Sequence, residues 1–219
     1  MSNEEDQKLK EILESFPEDE EIPFDILREF HIETGRSEQR ITNLKKYIPK
    51  NSIGAEIGVF WGHLSEQILK RCAPQTFYLV DPWDKLYPET FPNWKSYTIF
   101  GRLPTRLLRE YSETLAEHYD AVELFHGFSE EFYETLPNAH LDWVYIDGNH
   151  NYEVVRKDLA LAAQKVKPNG VIAGDDLLWN VHDGAPVRTA VRELRGELGE
   201  SHKFFRIGQQ YIFELSRGT

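Results

Sequence analysis

Short apolar runs alternate with amphipathic stretches along most of this chain. Five runs rich in β-branched and aromatic residues read as buried strands: GAEIGVF (54–60), TFYLVDP (76–82), AVELFHG (121–127), LDWVYIDG (141–148) and GVIAGDD (170–176). The stretches between them have helical spacing, most clearly YEVVRKDLALAAQKV (152–166). Such alternation predicts an α/β domain, a mostly parallel sheet with helices on both faces. HKFFRIG and QQYIFEL end the chain as two strands around a glycine-centred turn, which adds an antiparallel strand. The organisation is clear from residue 37 onward, so 37–219 is taken as the domain and 1–36 as a helical N-terminal extension. Residues 1–22 are acidic and read as a solvated helix. IPFDILREFHIETG (22–35) reads as a short amphipathic helix, and QRITNLKKYIP (39–49) as another that leads into the core.

Composition narrows the function classes. A chain of 219 residues suits one sizeable α/β domain with an appendage. Its net charge of −12 argues against a nucleic-acid backbone as partner, because phosphate neutralisation needs a basic face. The single cysteine, Cys72, cannot form an internal disulfide and fits a reducing compartment. No apolar stretch reaches the length of a membrane span, and the acidic start lacks the basic region of a signal peptide. The expectation is a soluble, cytoplasmic protein with a small-molecule partner, no membrane or nucleic-acid partner, and self-association left open.

The candidate chemistry sits where apolar runs end in acids. Asp147 and His150 follow the fourth strand, and Asp175 and Asp176 follow the fifth. A strand–helix–strand crossover lays these two strands side by side, so three carboxylates and an imidazole converge at the carboxyl ends, where open α/β sheets bind ligands. Like charges held together need a proton or a cation, and a hard divalent cation with oxygen ligands is the simplest relief. The alternative is that these carboxylates only cap helices and turns. Adjacent strand residues point to opposite faces, so Asp175 and Asp176 can share an ion only if the chain leaves strand geometry there.

The first strand runs into Glu56-Ile-Gly58-Val-Phe-Trp-Gly62-His-Leu-Ser65 and then a helix. Glycines there permit tight turning and close approach of a ligand, but G-x-x-x-G is neither the dinucleotide G-x-G-x-x-G nor a P-loop. The second strand ends in Asp81-Pro-Trp83, and an acid at that place can accept both ribose hydroxyls of a nucleotide. The aromatic stretch DKLYPETFPNWKSY (84–97) and LLWNVHDGAP (177–186) follow strand ends on the pocket side, as candidate lids or as structural loops.

Together EIGVFWG, the LVDPW strand end, IDGNHNYEVVRKDL and GVIAGDD resemble class I S-adenosylmethionine-dependent methyltransferases, in the branch of metal-dependent macrolide and sugar O-methyltransferases. The likeness spans 37–219. It implies a Rossmann-like doubly wound seven-stranded sheet of order 3-2-1-4-5-7-6 with strand seven antiparallel. It implies that Glu56, Gly58 and Gly62 surround the methionine part of the cofactor and that Asp81 takes the ribose. Phe128 and Ser129 would border the adenine, with His63, Trp83 and Asp147 also beside the cofactor. Asp147, Asp175 and Asp176 would bind Mg²⁺, and His150 would be the general base. The expected function is Mg-assisted O-methyl transfer to a hydroxyl of a small metabolite, such as a sugar or natural product. Two alternatives stand beside it: a metal-independent methyltransferase for another acceptor, and a non-catalytic S-adenosylmethionine-binding protein. His182 is the rival for the base.

Overall fold

Apolar side chains on both faces of the central strands bury them between helices, and the chain threads accordingly. The structure is a computed structural model and describes residues 3–17, 23, 25–26, 29, 36–83, 105–180 and 182–216. In chain order, the elements among these residues are α1 (Asn3–Glu14), α2 (Arg36–Leu44), β1 (Ile53–Ile57), α3 (His63–Cys72), β2 (Thr76–Asp81), α4 (Thr105–His118) and β3 (Val122–His126). They continue with α5 (Ser129–Thr135), β4 (Leu141–Ile146), α6 (Tyr152–Lys165), β5 (Val166–Gly174), α7 (Pro186–Leu198), β6 (His202–Ile207) and β7 (Gln210–Leu215).

The seven strands form one sheet of order β3-β2-β1-β4-β5-β7-β6. All pairings from β3 to β5 are parallel, and β7 runs antiparallel to both β5 and β6. This is the order and strand-seven polarity that the resemblance implied, in a Rossmann-like doubly wound sheet. Gly208, at φ 62°, makes the turn between the last two strands. Three of the expected strands stop short of their polar ends: β1 ends at Ile57, β4 at Ile146 and β5 at Gly174, so the glycine loop, Asp147, Asp175 and Asp176 lie beyond the strands.

Alternating side chains divide the core into two layers. Ala55, Ile57, Val144, Ile146 and Ile172 face one way, where they meet Leu159, Ala162, Val191 and Leu194 of α6 and α7. Trp143, Tyr145, Val171 and Ala173 face the other, against Ile41, Leu44 and Ile68 of α2 and α3. Trp143 lies flat over β1: a Cβ on Gly54 would stand 1.9 Å from its ring, so only glycine fits there. The indole N–H donates to Ser52 Oγ at 2.9 Å, which satisfies its one polar atom within the core.

The N-terminal helix is more than a solvated acidic segment. Leu9 and Leu13, one turn apart, are 1% and 7% exposed, so α1 buries one face. The expected helix over 22–35 and the aromatic stretch 84–97 lie outside the described residues, apart from isolated positions of the former. Among the described residues no helix is long and apolar enough to cross a membrane.

Candidate functional site

Register explains which side chains meet at the carboxyl edge. Ile57 pairs with Ile146, which pairs with Gly174. One residue further, the ladder persists through Asp147 N–H to Ile57 O at 2.8 Å and Asp175 N–H to Ile146 O at 3.2 Å. Asp147 and Asp175 therefore continue the alternation of Tyr145 and Ala173 and face the layer containing α2.

There they meet a cation that sequence reasoning missed. Arg40 of α2 donates from Nη1 to Asp147 Oδ2 at 2.7 Å and from Nε to Asp175 Oδ2 at 2.5 Å. Its Nη2 lies 2.5 Å from the same Asp175 oxygen. Asn43 and Gln210 hold α2 in place: Asn43 Nδ2 donates to Gln210 Oε1 at 2.7 Å, and Gln210 Nε2 donates to the Tyr145 hydroxyl at 3.2 Å. Two signals were present in the sequence. Arg40 precedes the buried Ile41 and stands one turn before the buried Leu44, so it borders the packed stripe; and three converging carboxylates demanded a positive charge.

Asp176 separates from Asp175. Its φ of 57° marks the departure from strand geometry, and its Oδ2 lies 2.9 Å from His150 Nε2. Asp147, His150 and Asp176 offer ligand atoms within 4.8 Å of one another. Asp175 is instead committed to Arg40 through Oδ2, while its Oδ1 is buried without a hydrogen-bond partner among the described residues. His182 lies exposed in the turn that follows and is not part of this group.

Electrostatics reflect the crowding. Burial opposes a charged His150, but its bond to Asp176 and the fields of all three aspartates outweigh that and raise its pKa. Burial also raises the pKa of Asp147; Arg40 pulls against the rise, and Asp175 and Asp176 add to it. Trp179 packs against the imidazole at a tilt of 44° with centroids 4.7 Å apart and is 41% exposed, so it borders both His150 and solvent.

The glycine loop forms the other half of the edge. Gly58 takes φ 87°, and a Cβ there would approach the Asp147 carbonyl oxygen to 2.4 Å, so the loop lies directly against the β4 end. Asp81 ties this loop down: its Oδ2 accepts from the N–H groups of Val59 at 2.8 Å and Phe60 at 2.9 Å. Its Oδ1 accepts from Trp83 N–H at 2.7 Å, its one bond among the described residues. Burial raises the Asp81 pKa and these three amides hold it back. Trp83 is buried, and its indole donates to Phe60 O at 2.7 Å, a second tie across the loop. Glu56, 1% exposed, accepts from Ser65 Oγ at 2.6 Å, and burial pushes its pKa up to about 8 against that bond. His63 stacks on Trp61 at 4.8 Å. On the far side Phe128 is exposed, whereas the Ser129 hydroxyl turns away and donates to Asp158 Oδ1 of α6 at 2.5 Å.

Comparison with known proteins fits this arrangement. The methyltransferase-domain family matches residues 55–177, from β1 through the turn after the acidic pair and more than half of the chain. No curated protein matches the sequence. Among solved structures, the O-methyltransferase NovP superposes with a TM-score of 0.58 at 18% identity, over 82% of this chain and 80% of its own. A protein from Corynebacterium glutamicum reaches 0.58 at 16% identity, over 97% and 98%. The O-methyltransferase TomG from Streptomyces achromogenes, involved in tomaymycin synthesis and solved with S-adenosylmethionine, gives 0.56 at 15% identity, over 99% and 91%. The glycine loop against β4, the acid ending β2 and the family match over the same residues establish that the chain belongs to the methyltransferase-domain family, as a class I S-adenosylmethionine-dependent methyltransferase.

Proposed function

We propose that this enzyme transfers the methyl group of S-adenosylmethionine to a hydroxyl of a small metabolite, with His150 as general base. The His150–Asp176 pair carries this reading. Nε2 is engaged by Asp176 Oδ2 at 2.9 Å, which assigns the ring proton to Nε2 and leaves Nδ1 to accept one. The acceptor oxygen forms the new C–O bond as the C–S bond breaks. The sulfonium leaves as a neutral thioether, and the hydroxyl proton passes to Nδ1. Near-attack positioning supplies most of the acceleration in such an in-line displacement.

Charge supports the cofactor assignment. A carboxyl as costly to ionise alone as Glu56 gains from a nearby ammonium or sulfonium, and Asp147 adds negative potential across the same loop. Glu56, Gly58 and Gly62 would take the methionine part, with His63, Trp83 and Asp147 around it. The remaining acceptor capacity of Asp81 Oδ1 would take a ribose hydroxyl. Phe128 offers an apolar face to the adenine; Ser129 would contribute through its backbone, since its hydroxyl is engaged.

The donor set also fits a hard divalent cation. Ligand atoms of Asp147, His150 and Asp176 lie within 4.8 Å of one another, and Asp175, outside that group, keeps its buried Oδ1 without a donor among the described residues. Bound there, Mg²⁺ would polarise the acceptor hydroxyl. A second reading, transfer without metal, rests on Arg40, which already brings positive charge to two of the three acids. Chelation separates the two. Activity lost in EDTA and restored by Mg²⁺ supports the metal-assisted form; full activity in excess EDTA removes it.

A further inference from the structure

Arg40 does not behave as one half of a finished ion pair. It faces two of three carboxylates, and among the described residues the buried acceptor Asp175 Oδ1 has no donor although Asp175 is only 8% exposed. Asp176 turns to His150 instead. One guanidinium therefore supplies less positive charge and fewer donors than these acids can take, and breaking such a contact would leave buried charge uncompensated. Arg40 is also able to leave. Its side chain is 23% exposed, while the backbone of α2 is held independently through Asn43, Gln210 and the Glu38–Arg71 ion pair to α3. A long, flexible side chain on an anchored helix can withdraw without moving the helix.

We infer that Arg40 and a divalent cation are alternative occupants of one charge site, formed by Asp147, Asp175 and Asp176. In the metal-free protein Arg40 compensates the carboxylates and keeps the strand ends together. A divalent cation on the same acids repels the guanidinium, which releases Asp147 and Asp175. The position of the Arg40 side chain is thereby coupled to the occupancy of the acidic centre, and apparent metal affinity is lowered by the work of displacing Arg40. This rests on the reading that the acidic centre accepts a divalent cation.

Thermal unfolding and calorimetric titration with MgCl₂ and with MnCl₂, on wild type, Arg40→Met and Arg40→Lys, test the inference without requiring turnover. Wild type should gain less thermal stability from Mg²⁺ than Arg40→Met does, because displacement of Arg40 opposes cation binding. Arg40→Met in EDTA should lose roughly 5–10 °C, the scale for removing one partner of a buried pair in a domain of this size, and should regain most of it with either cation. Its cation affinity should exceed that of wild type by about tenfold or more. Arg40→Lys, which keeps a charge, should resemble wild type in EDTA. Equal cation affinity in wild type and Arg40→Met would overturn the inference while leaving the metal reading intact. No binding to either protein would overturn both. A loss of stability in Arg40→Met that neither cation restores would show a packing role only and sink the exchange.

Discussion

Asp81 and Asp175 end parallel strands of one sheet, yet their surroundings differ in kind. Asp81 is surrounded by neutral donors, three backbone amides of the loop that it shapes. Asp175 has one oxygen held by Arg40 and the other buried without a donor among the described residues. The first arrangement is local, within about twenty residues of chain, and fixes a backbone. The second joins residues 135 apart in sequence and leaves capacity unused. The β1–β2 side therefore reads as a preformed cradle, and the β4–β5 side as a place where charge and protons are exchanged.

The largest expected effect falls on the second side. His150→Ala should lower kcat by about 10²–10⁴-fold, the usual worth of a positioned base, with S-adenosylmethionine affinity nearly unchanged by calorimetry. Because the aspartates raise the His150 pKa, the base form appears only above the ordinary histidine range. The acid limb of kcat/KM should therefore lie above about 6.5. An active alanine variant would move the base role elsewhere and erase the contrast between the two sides.

Asp81→Ala tests the cradle. Cofactor binding should weaken by about 1–3 kcal/mol, from a lost charge-assisted bond together with amides of Val59 and Phe60 left without their acceptor. Asp81→Asn keeps an acceptor oxygen and should lose less. If the two variants bind alike, the carboxylate does not organise the loop.

The last effect, on stability alone, concerns Asp158, the buried acid that holds Ser129. Burial pushes its pKa from 3.8 up to about 6 against the Ser129 bond. A folded-state pKa above the unfolded one means the folded protein holds this proton more tightly. This group's stabilising contribution is thus full below about pH 3.8 and is lost as pH rises through 6. Urea unfolding between those limits should show Asp158→Asn flattening the slope by up to about 2–3 kcal/mol in total. An unchanged slope would mean that Asp158 is already charged at low pH.

Much of this was legible because it is local or periodic. Five apolar runs, the crossover between Asp147 and Asp175, and the glycine-centred final hairpin follow from spacing alone, and the resemblance supplied the strand order. The departure from strand geometry at Asp176 was also foreseeable, since two neighbouring acids cannot otherwise reach one place. Arg40 was harder to see. Arg40 shares the helix and the turn after it with Arg36, Lys45 and Lys46, and its inward turn depends on how Asn43 docks on Gln210, a contact made 167 residues away. The commitments of Ser129 to Asp158 and of Trp83 to Phe60 are likewise tertiary. Nothing in the local sequence fixes where a hydroxyl or an indole N–H will point.

Methyl transfer to a hydroxyl, with His150 as its base, fixes which atom receives the label and which variant abolishes the transfer. Wild type and His150→Ala should be incubated with S-adenosylmethionine carrying a ¹³C-methyl group and a panel of sugars, phenols and amines. Carbon NMR then reports the atom that receives the label. An O-methyl resonance should form with wild type and nearly vanish with the variant. Label appearing on nitrogen, or an O-methyl product formed equally fast without His150, would contradict it.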